Sequence, residues 1–581
     1  MATVTAPELD LSQQAAASID ASGRQVVIAG PGSGKTEVVS ALVEHLVVNE
    51  ELDPEFSLLV LSFSRAAVHA VTRRLHAADV QAAASVRTLD SLAQRIVREA
   101  YDEDTSGPRM FDRRIERAGQ ALRSEAWRGI EELEHLVIDE VQDVVGIRAE
   151  FVLALLAALP DATGFTLLGD PAQAIYDFQL TREHSTTSND LIARVEAMPG
   201  VVRRELFGSY RAGTRDAAAA VALRGIGDPS LHGAEDEIED FLLGIAPVDD
   251  EGIHELARRY PRGTVVLTAT NGQALMEAEG LWKHGVPVHV RRPLTAPVVD
   301  AWVGDVLGRA GSWSLDDLTS AMGGTDSAVD RWRAIRGWST PGSRVVDTRE
   351  VARRLRYGTV PGELQPGEPD TAVVSTVHRA KGLEFDTVVF ADYVSARDSD
   401  EDAARIARAR YVALTRARFR LLRVERDRYP RFVRKDARTG RWLRCHATPG
   451  SVKAVEIRGD DLDRERPPGD DVEQTRTHLR TRVSPGDPVS LVHDWTSGDV
   501  PHWIVQHEGV TIGRTSTGFG EHVRRLLPGN VRLDLRGVHV ESVETVAGEP
   551  LGDGPDGVGR YGLWLGVRLV GLAAREWKDQ Q

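Results

Sequence analysis

Gln25-Val26-Val27-Ile28-Ala29-Gly30-Pro31-Gly32-Ser33-Gly34-Lys35-Thr36 is the stretch that decides the fold. Gln25 to Ala29 read as a short buried strand. Gly30 to Gly34 are a turn that only glycine-rich sequence makes. From Lys35 the pattern becomes helical, with Val38, Val39, Leu42, Val43 and Leu46 on one stripe. Strand, glycine turn, Lys-Thr and helix together form a phosphate-binding loop in its expected context. The N–H groups of Gly32, Ser33, Gly34 and Lys35 are expected to point at phosphate oxygens, and the helix N-terminus adds partial positive charge. Lys35 is expected to reach the β- and γ-phosphates of ATP, and the Thr36 hydroxyl to hold Mg²⁺. Ala29 stands where a first glycine is usual, at a strand end where a small residue suffices.

A chain of 581 residues has room for about three or four domains. Its 41% hydrophobic and 27% charged residues are ordinary for a globular protein. No apolar run approaches the ~18 residues of a membrane span. Met1 to Asp10 lack the basic-then-apolar form of a signal peptide. One cysteine, Cys445, excludes an internal disulfide framework and a cysteine-based metal cluster. These features point to the cytoplasm. A net charge of −16 weighs against non-specific nucleic-acid binding by the whole surface but leaves room for a basic channel.

Ahead of the loop, Ser12 is a plausible helix N-cap, and Gln13 is placed to offer adenine an amide donor and acceptor together. Leu58 to Phe63 is a second buried strand running into Ser64, and Val86 to Leu92 is a third strand-to-helix junction through Thr88. Strands alternating with helices predict a doubly wound parallel sheet, with ligands at the carboxyl ends of its strands. His135 to Ile138 is a fourth strand that aims Asp139 and Glu140: the first suits Mg²⁺, the second the attacking water. Phe165 to Gly169 is a fifth. Beyond it Gln173 is expected to sense the γ-phosphate, with Tyr176 and Phe178 as aromatic faces for stacked bases.

In this order these segments resemble the UvrD/Rep family of superfamily 1 helicases, and later segments extend the resemblance over residues 9 to about 422. Glu205 to Arg211 is similar to motif IV, which implies that Tyr210 stacks on adenine and Arg211 acts as a finger on the γ-phosphate. Thr264 to Gln273 resembles the first strand and turn of a second motor domain. Val373 to Phe385 resembles motif V, implying DNA contacts from His378 and Lys381 and an ATP-ribose contact from Glu384. Tyr411 to Ala417 resembles motif VI, whose Arg416 would be the second finger. Phe63, Ser64, Thr88, Tyr176 and Phe178 are the other expected DNA contacts.

The resemblance implies an α/β fold: two RecA-like P-loop motor domains, parallel sheets flanked by helices, with small helical insertions, plus a small C-terminal mostly-β domain. The first motor domain is expected over 1–206 with an insertion at about 93–132, and the second over 207–447 with one at about 311–369. Lys35 and Mg²⁺ would come from one lobe, Arg211 and Arg416 from the other. An acidic linker is expected over 448–483 and the β-rich domain over 484–581. The implied activity is an ATP-dependent, 3′→5′ translocase or helicase on single-stranded DNA and single-strand/duplex junctions. The alternative is a DNA- or protein-regulated ATPase that remodels a protein complex. A protein partner is expected on the β-rich domain, and no membrane.

Several positions depart from the family pattern. Glu37 replaces a usual Arg or Lys, Asp90 a usual His, Gln179 a usual Arg and Phe178 the commoner Trp. Each of the last three lowers positive charge or stacking area where DNA is expected. The arginine-rich stretch from Arg418 to Arg444, with Tyr429, Phe432 and Trp442, suits either a polyanion or a solvated face. Trp313, Trp332 and Trp338 are expected to form a small core.

Overall fold

The computed structural model describes residues 9–575, apart from 63–84, 104–110, 229–230, 232, 293–297, 325–326, 358–359, 394–399, 427–432, 446–451, 470, 497, 528–532 and 552–556. Phe63, Ser64, Tyr429 and Phe432 lie outside the described residues. Two compact units divide the chain. One comprises Met1–Ala246, Ala380–Val388 and Ala396–Leu421; the other comprises Pro247–Arg379, Val389–Ser395 and Leu422–Gln581.

The first unit holds six strands: β1 (Arg24–Ala29), β2 (Leu58–Ser62), β3 (Ser85–Thr88), β4 (His135–Asp139), β5 (Gly164–Gly169) and β6 (Val201–Leu206). Their order is β3-β2-β4-β5-β1-β6, every pair parallel. β2, β4 and β5 are buried along their whole length. Such strands bury both faces, and successive side chains separate cleanly. Val26, Ile28, Leu136 and Ile138 enter one core with helices Leu89–Tyr101 and Ile147–Ala158. Val27, Ala29, Val137 and Leu168 enter the other with helix Lys35–Val48.

One expectation changes here. As expected for residues up to 206, β6 is an edge strand on β1, with Glu205 paired to Ile28. Residues 207–246 and the motif VI segment also belong to the first unit, so Arg211 and Arg416 share a unit with Lys35.

In the second unit lie β7 (Thr264–Thr268), β8 (Val288–Arg291) and β11 (Ala372–Thr376), parallel to one another, in a five-stranded sheet of order β13-β12-β7-β11-β8. Here β12 is Phe385–Tyr393 and β13 is Ala417–Arg426. Between β8 and β11, the short antiparallel pair β9 (Ser312–Trp313) and β10 (Val346–Asp347) joins three helices over a core of Trp302, Trp313, Ile335, Val351 and Leu364, with Trp332 and Trp338 packed against it.

The remaining strands form one antiparallel sheet. They are β14 (Val433–Lys435), β15 (Trp442–Cys445), β16 (Val452–Ile457), β17 (Pro488–His493), β18 (Trp503–His507), β19 (Val510–Arg514), β20 (Leu535–Ala547) and β21 (Leu563–Arg575). Their order is β14-β15-β16-β21-β20-β17-β18-β19. The expected linker therefore contributes β16, paired to β21 through Val455 and Ala573, and a helix, Val472–Thr481, that buries Leu479. Its acidic residues misled because two of them are internal: Asp461 holds Arg441 at 2.6 Å, and Glu456 is buried beside Arg458 at 2.9 Å. Much of the arginine-rich stretch is likewise engaged, with Arg426 on Glu277 and Asp250 at 2.6 Å and Arg444 on Glu279. Among the described residues no helix is long and apolar enough to cross a membrane.

A chain ended after residue 469 would strip β17 to β21 from β16 and uncover Leu443, Val455 and Ile457, all buried. It should express as aggregate; a soluble, monomeric truncation by gel filtration would contradict the shared sheet. His135 gives a second test. It is fully buried between the Ala21 carbonyl at 2.8 Å and the Thr166 hydroxyl at 3.1 Å, and burial lowers its pKa to about 4. The unfolded chain takes up a proton near pH 6.5 and the folded one does not, so stability is lost as pH falls from about 6.5 towards 4, by about 2 kcal/mol at pH 5. His135→Asn should flatten that part of the unfolding-versus-pH curve.

Candidate nucleotide-binding and hydrolysis site

The site is built at the carboxyl ends of β1, β4 and β5, where a doubly wound sheet opens a crevice. Gly32 and Gly34 have φ of +73° and +80°, in the left-handed region that favours glycine. Each is also closely covered. A Cβ on Gly32 would lie 2.5 Å from the Arg211 Cβ, and one on Gly34 would lie 2.4 Å from the Gln13 amide nitrogen. The Gln13 amide donates to the Ser33 carbonyl at 2.9 Å, and its oxygen accepts from the Asp10 N–H at 2.9 Å. Gln13 is buried, so its amide holds the loop rather than facing outward for adenine. Tyr210 donates its N–H to the Gly32 carbonyl at 2.8 Å and its hydroxyl to Asp10 at 2.5 Å; its ring is exposed. Gly30 and Pro31 complete the turn, and Lys35 and Thr36 open the helix.

Lys35 Nζ lies 3.4 Å from Glu140. Glu140 itself has φ +57°, a conformation that costs a non-glycine residue energy and that clusters at functional sites. Asp139 is buried at the end of β4 and accepts from the Glu140 N–H at 2.9 Å. Burial, then the Glu140 charge, push the Asp139 carboxyl up. Glu140 shifts the other way: burial opposes ionisation, but Lys35, Lys381, the Gln142 hydrogen bond and Arg416 together outweigh it. A divalent cation would relieve this crowding of negative charge. Thr36 and Asp139 supply oxygen ligands of the kind Mg²⁺ takes, with water completing its shell.

Gln173 is a junction. Its amide nitrogen donates to Asp170 at 2.7 Å, and its amide oxygen accepts from Arg416 at 3.0 Å. Arg416 is buried; its Nε donates to the Val412 carbonyl at 3.0 Å, and burial together with nearby Arg211 lowers its pKa to about 10. Arg211 pairs through Nη2 with Glu384 at 2.6 Å, while its buried Nε and Nη1 have no partner. Two unsatisfied guanidinium donors on a residue whose Cβ abuts Gly32 suit an anion, and a triphosphate supplies one. Glu384, expected on ribose, bridges Arg211 and Arg418, the latter at 3.0 Å.

Lys381 departs from its expected place on DNA phosphate. Its ammonium is buried against Asp143 and donates to the Gln173 carbonyl at 2.6 Å. Sequence reasoning passed over Asp143, which stands three residues after Glu140 and needed the fold to meet Lys381. It also passed over Arg224, whose guanidinium lies beside Gly30. Lys381 Nζ sits 5.2 Å from the Tyr176 ring centre, and Tyr176 lies 5.9 Å from Phe178, whose ring is exposed. Thr88 caps the following helix by accepting from the Ser91 N–H at 3.2 Å. Asp90 pairs with Arg148 at 3.2 Å, which accounts for a carboxylate there. His378 lies in the other unit, on the short helix Val377–Ala380.

Residues 12–179 match the model of the AAA domain, and residues 371–422 match that of the UvrD-like helicase C-terminal domain. An AAA-domain match is thus followed in the same chain by a match to a UvrD-like helicase C-terminal domain. No curated protein matches its sequence. Among solved structures it is similar to the DUF1998 helicase MrfA bound to DNA, at 12% identity and a TM-score of 0.35, over 72% of this chain and 49% of that one. It is also similar to a Dbp5 variant of S. cerevisiae bound to RNA and ADP BeF3, at 12% identity and 0.33, over 70% and 80%. The chain thus spans about half the length of MrfA.

Gly32→Ala would force a Cβ into the Arg211 side chain at a left-handed φ. The variant should fold, by circular dichroism, yet bind a fluorescent ATP analogue at least about tenfold more weakly. Unchanged affinity would mean that this loop does not cradle phosphate.

Proposed function

We propose that the chain is an ATP-dependent single-stranded-DNA translocase and helicase of 3′→5′ polarity, cytoplasmic, using ATP and Mg²⁺. The observation that carries the reading is Arg211: two buried, unpartnered guanidinium nitrogens on a residue whose Cβ abuts Gly32. Phosphoryl transfer needs negative charge neutralised on the transferring group. Lys35, Arg211 and Arg416 are the groups to do it. Glu140 accepts the proton of the attacking water, and Mg²⁺ on Thr36 and Asp139 would polarise the β- and γ-phosphates. Gln173 would report the γ-phosphate. Its side chain holds Arg416 and its carbonyl holds Lys381, which packs on Tyr176. Nucleotide state would thereby reach Tyr176 and Phe178, where stacking on bases is worth about 1–3 kcal/mol each.

The insertions are short and Asp90 is occupied by Arg148. Among the described residues the motor therefore offers little surface for duplex, whose opening costs about 1.4 kcal/mol per base-pair step. A protein partner on the antiparallel sheet would supply processivity; Trp495, 72% exposed next to β17, is the side chain there best suited to docking. The same exposed residue favours the second reading, a protein-remodelling ATPase.

ATP hydrolysis measured with single-stranded DNA, RNA and duplex decides between them. Strong stimulation by single-stranded DNA is expected, with little unwinding of a long 3′-tailed duplex under single-turnover conditions. A DNA-insensitive ATPase would favour remodelling. Glu140→Gln should bind ATP and not turn it over, and Arg211→Ala and Arg416→Ala should each cut turnover about 10²-fold or more with ADP affinity kept. Lys381→Ala, which leaves Asp143 buried and unpaired, should lower turnover even without DNA. An Lys381→Ala chain with normal basal turnover and a loss confined to DNA affinity would return Lys381 to the DNA groove.

A further inference from the structure

Three side chains of the second unit converge on one point. His478 lies on the helix Val472–Thr481, His507 ends β18, and Glu508 begins the two-residue turn into β19. One ligand atom from each lies within 4.8 Å of the others. His478 Nε2 and His507 Nδ1 face each other at 2.9 Å. His507 is buried, and its other nitrogen, Nε2, lies 3.4 Å from the Asp487 carboxylate. Glu508 and Gly509 have φ of +49° and +81°, so the turn has left-handed backbone at both central positions. Asparagine or aspartate followed by glycine is the usual choice there, and a glutamate points to a use for its longer side chain.

We propose that His478, His507 and Glu508 form a site for a late divalent transition metal, Zn²⁺ being the ion best matched. Two neutral imidazoles and one carboxylate make a three-ligand set that leaves a fourth position for water. Asp487 supplies the outer carboxylate that fixes a metal-bound imidazole's tautomer and raises its basicity. Two nitrogens held tetrahedrally about 2.0–2.1 Å from one ion stand about 3.3 Å apart. The observed 2.9 Å contact needs to open by only a few tenths of an ångström. Glu508 now meets Arg482 at 3.3 Å, a pair more than half exposed, and it can exchange that partner for a cation at little cost. The ion would tie the helix to the β18–β19 hairpin. Mg²⁺ and Ca²⁺ prefer all-oxygen sites and are poor occupants.

The test uses the full-length chain, stripped with chelator and titrated calorimetrically with Zn²⁺. One ion per chain is expected, with a Kd of about 1 μM or below. His478→Gln and Glu508→Gln should each weaken binding at least about tenfold, and Asp487→Asn about 10–100-fold. Co²⁺ should give the visible bands of a four-coordinate ion, and His478→Gln should abolish them. Glu508→Gln alters an exposed side chain, so its unfolding midpoint without metal should match the parent, which separates lost binding from lost folding. If no ion binds at this strength, the two histidines are only a hydrogen-bonded pair and the site is wrong. A stoichiometric ion with affinity and Co²⁺ spectrum unchanged in His478→Gln and Glu508→Gln overturns it equally.

Discussion

Two buried carboxylates, Asp139 and Asp143, crowd the half-buried Glu140 at the end of β4, and everything around them is arranged to make that tolerable. Isolated buried charge costs several kcal/mol, and removing one member of a buried pair typically costs about 3–5 kcal/mol. Lys35 answers Glu140 and Lys381 answers Asp143. Asp139 has neither and is pushed towards the neutral form. The imbalance is a physical reason for a divalent cation to bind there. It also ties the glycine loop, the β4 exit and the segment around Lys381 into one electrostatic unit, although these stand far apart in sequence.

Arginine plays the complementary part. Arg416 has its guanidinium distributed over the Val412 carbonyl, Gln173 and Thr415, so it is already oriented. Arg211 is half-satisfied, with Glu384 on one side and two free donors on the other. Preorganised donors that cost no reorganisation at the moment of reaction are the most effective electrostatic catalysts. The positions of the two arginines therefore differ: Arg416 is locked to Gln173, and Arg211 lies against the phosphate loop through its Cβ.

The C-terminal sheet solves a different problem. Its β16 arrives from a stretch dense in charge, yet Val455 and Ile457 are buried and the carboxylates are matched inside by Arg292, Arg441 and Arg458. Arg568 and Arg464 hold Glu544 in the same way. Composition read alone treats such charges as solvated. Here they form paired networks that fix register between strands far apart in sequence.

Local sequence determined most of the first sheet and the phosphate loop. Continuous apolar runs define β1, β2, β4 and β5, since a strand covered on both faces has no polar side to show. The glycines at 32 and 34 are required by left-handed backbone, and Lys35, Thr36, Asp139, Glu140, Gln173, Arg211 and Arg416 stand in an order that implies their chemistry. Only tertiary structure decided which unit the two arginines join, that Gln13 braces the loop, that Lys381 turns inward to Asp143, and that residues 448–483 enter a sheet. The physical reason is common to all four. Spacing along the chain reports local geometry, whereas the partner of a buried charge or amide is chosen by whichever distant segment the fold brings within about 3 Å of it.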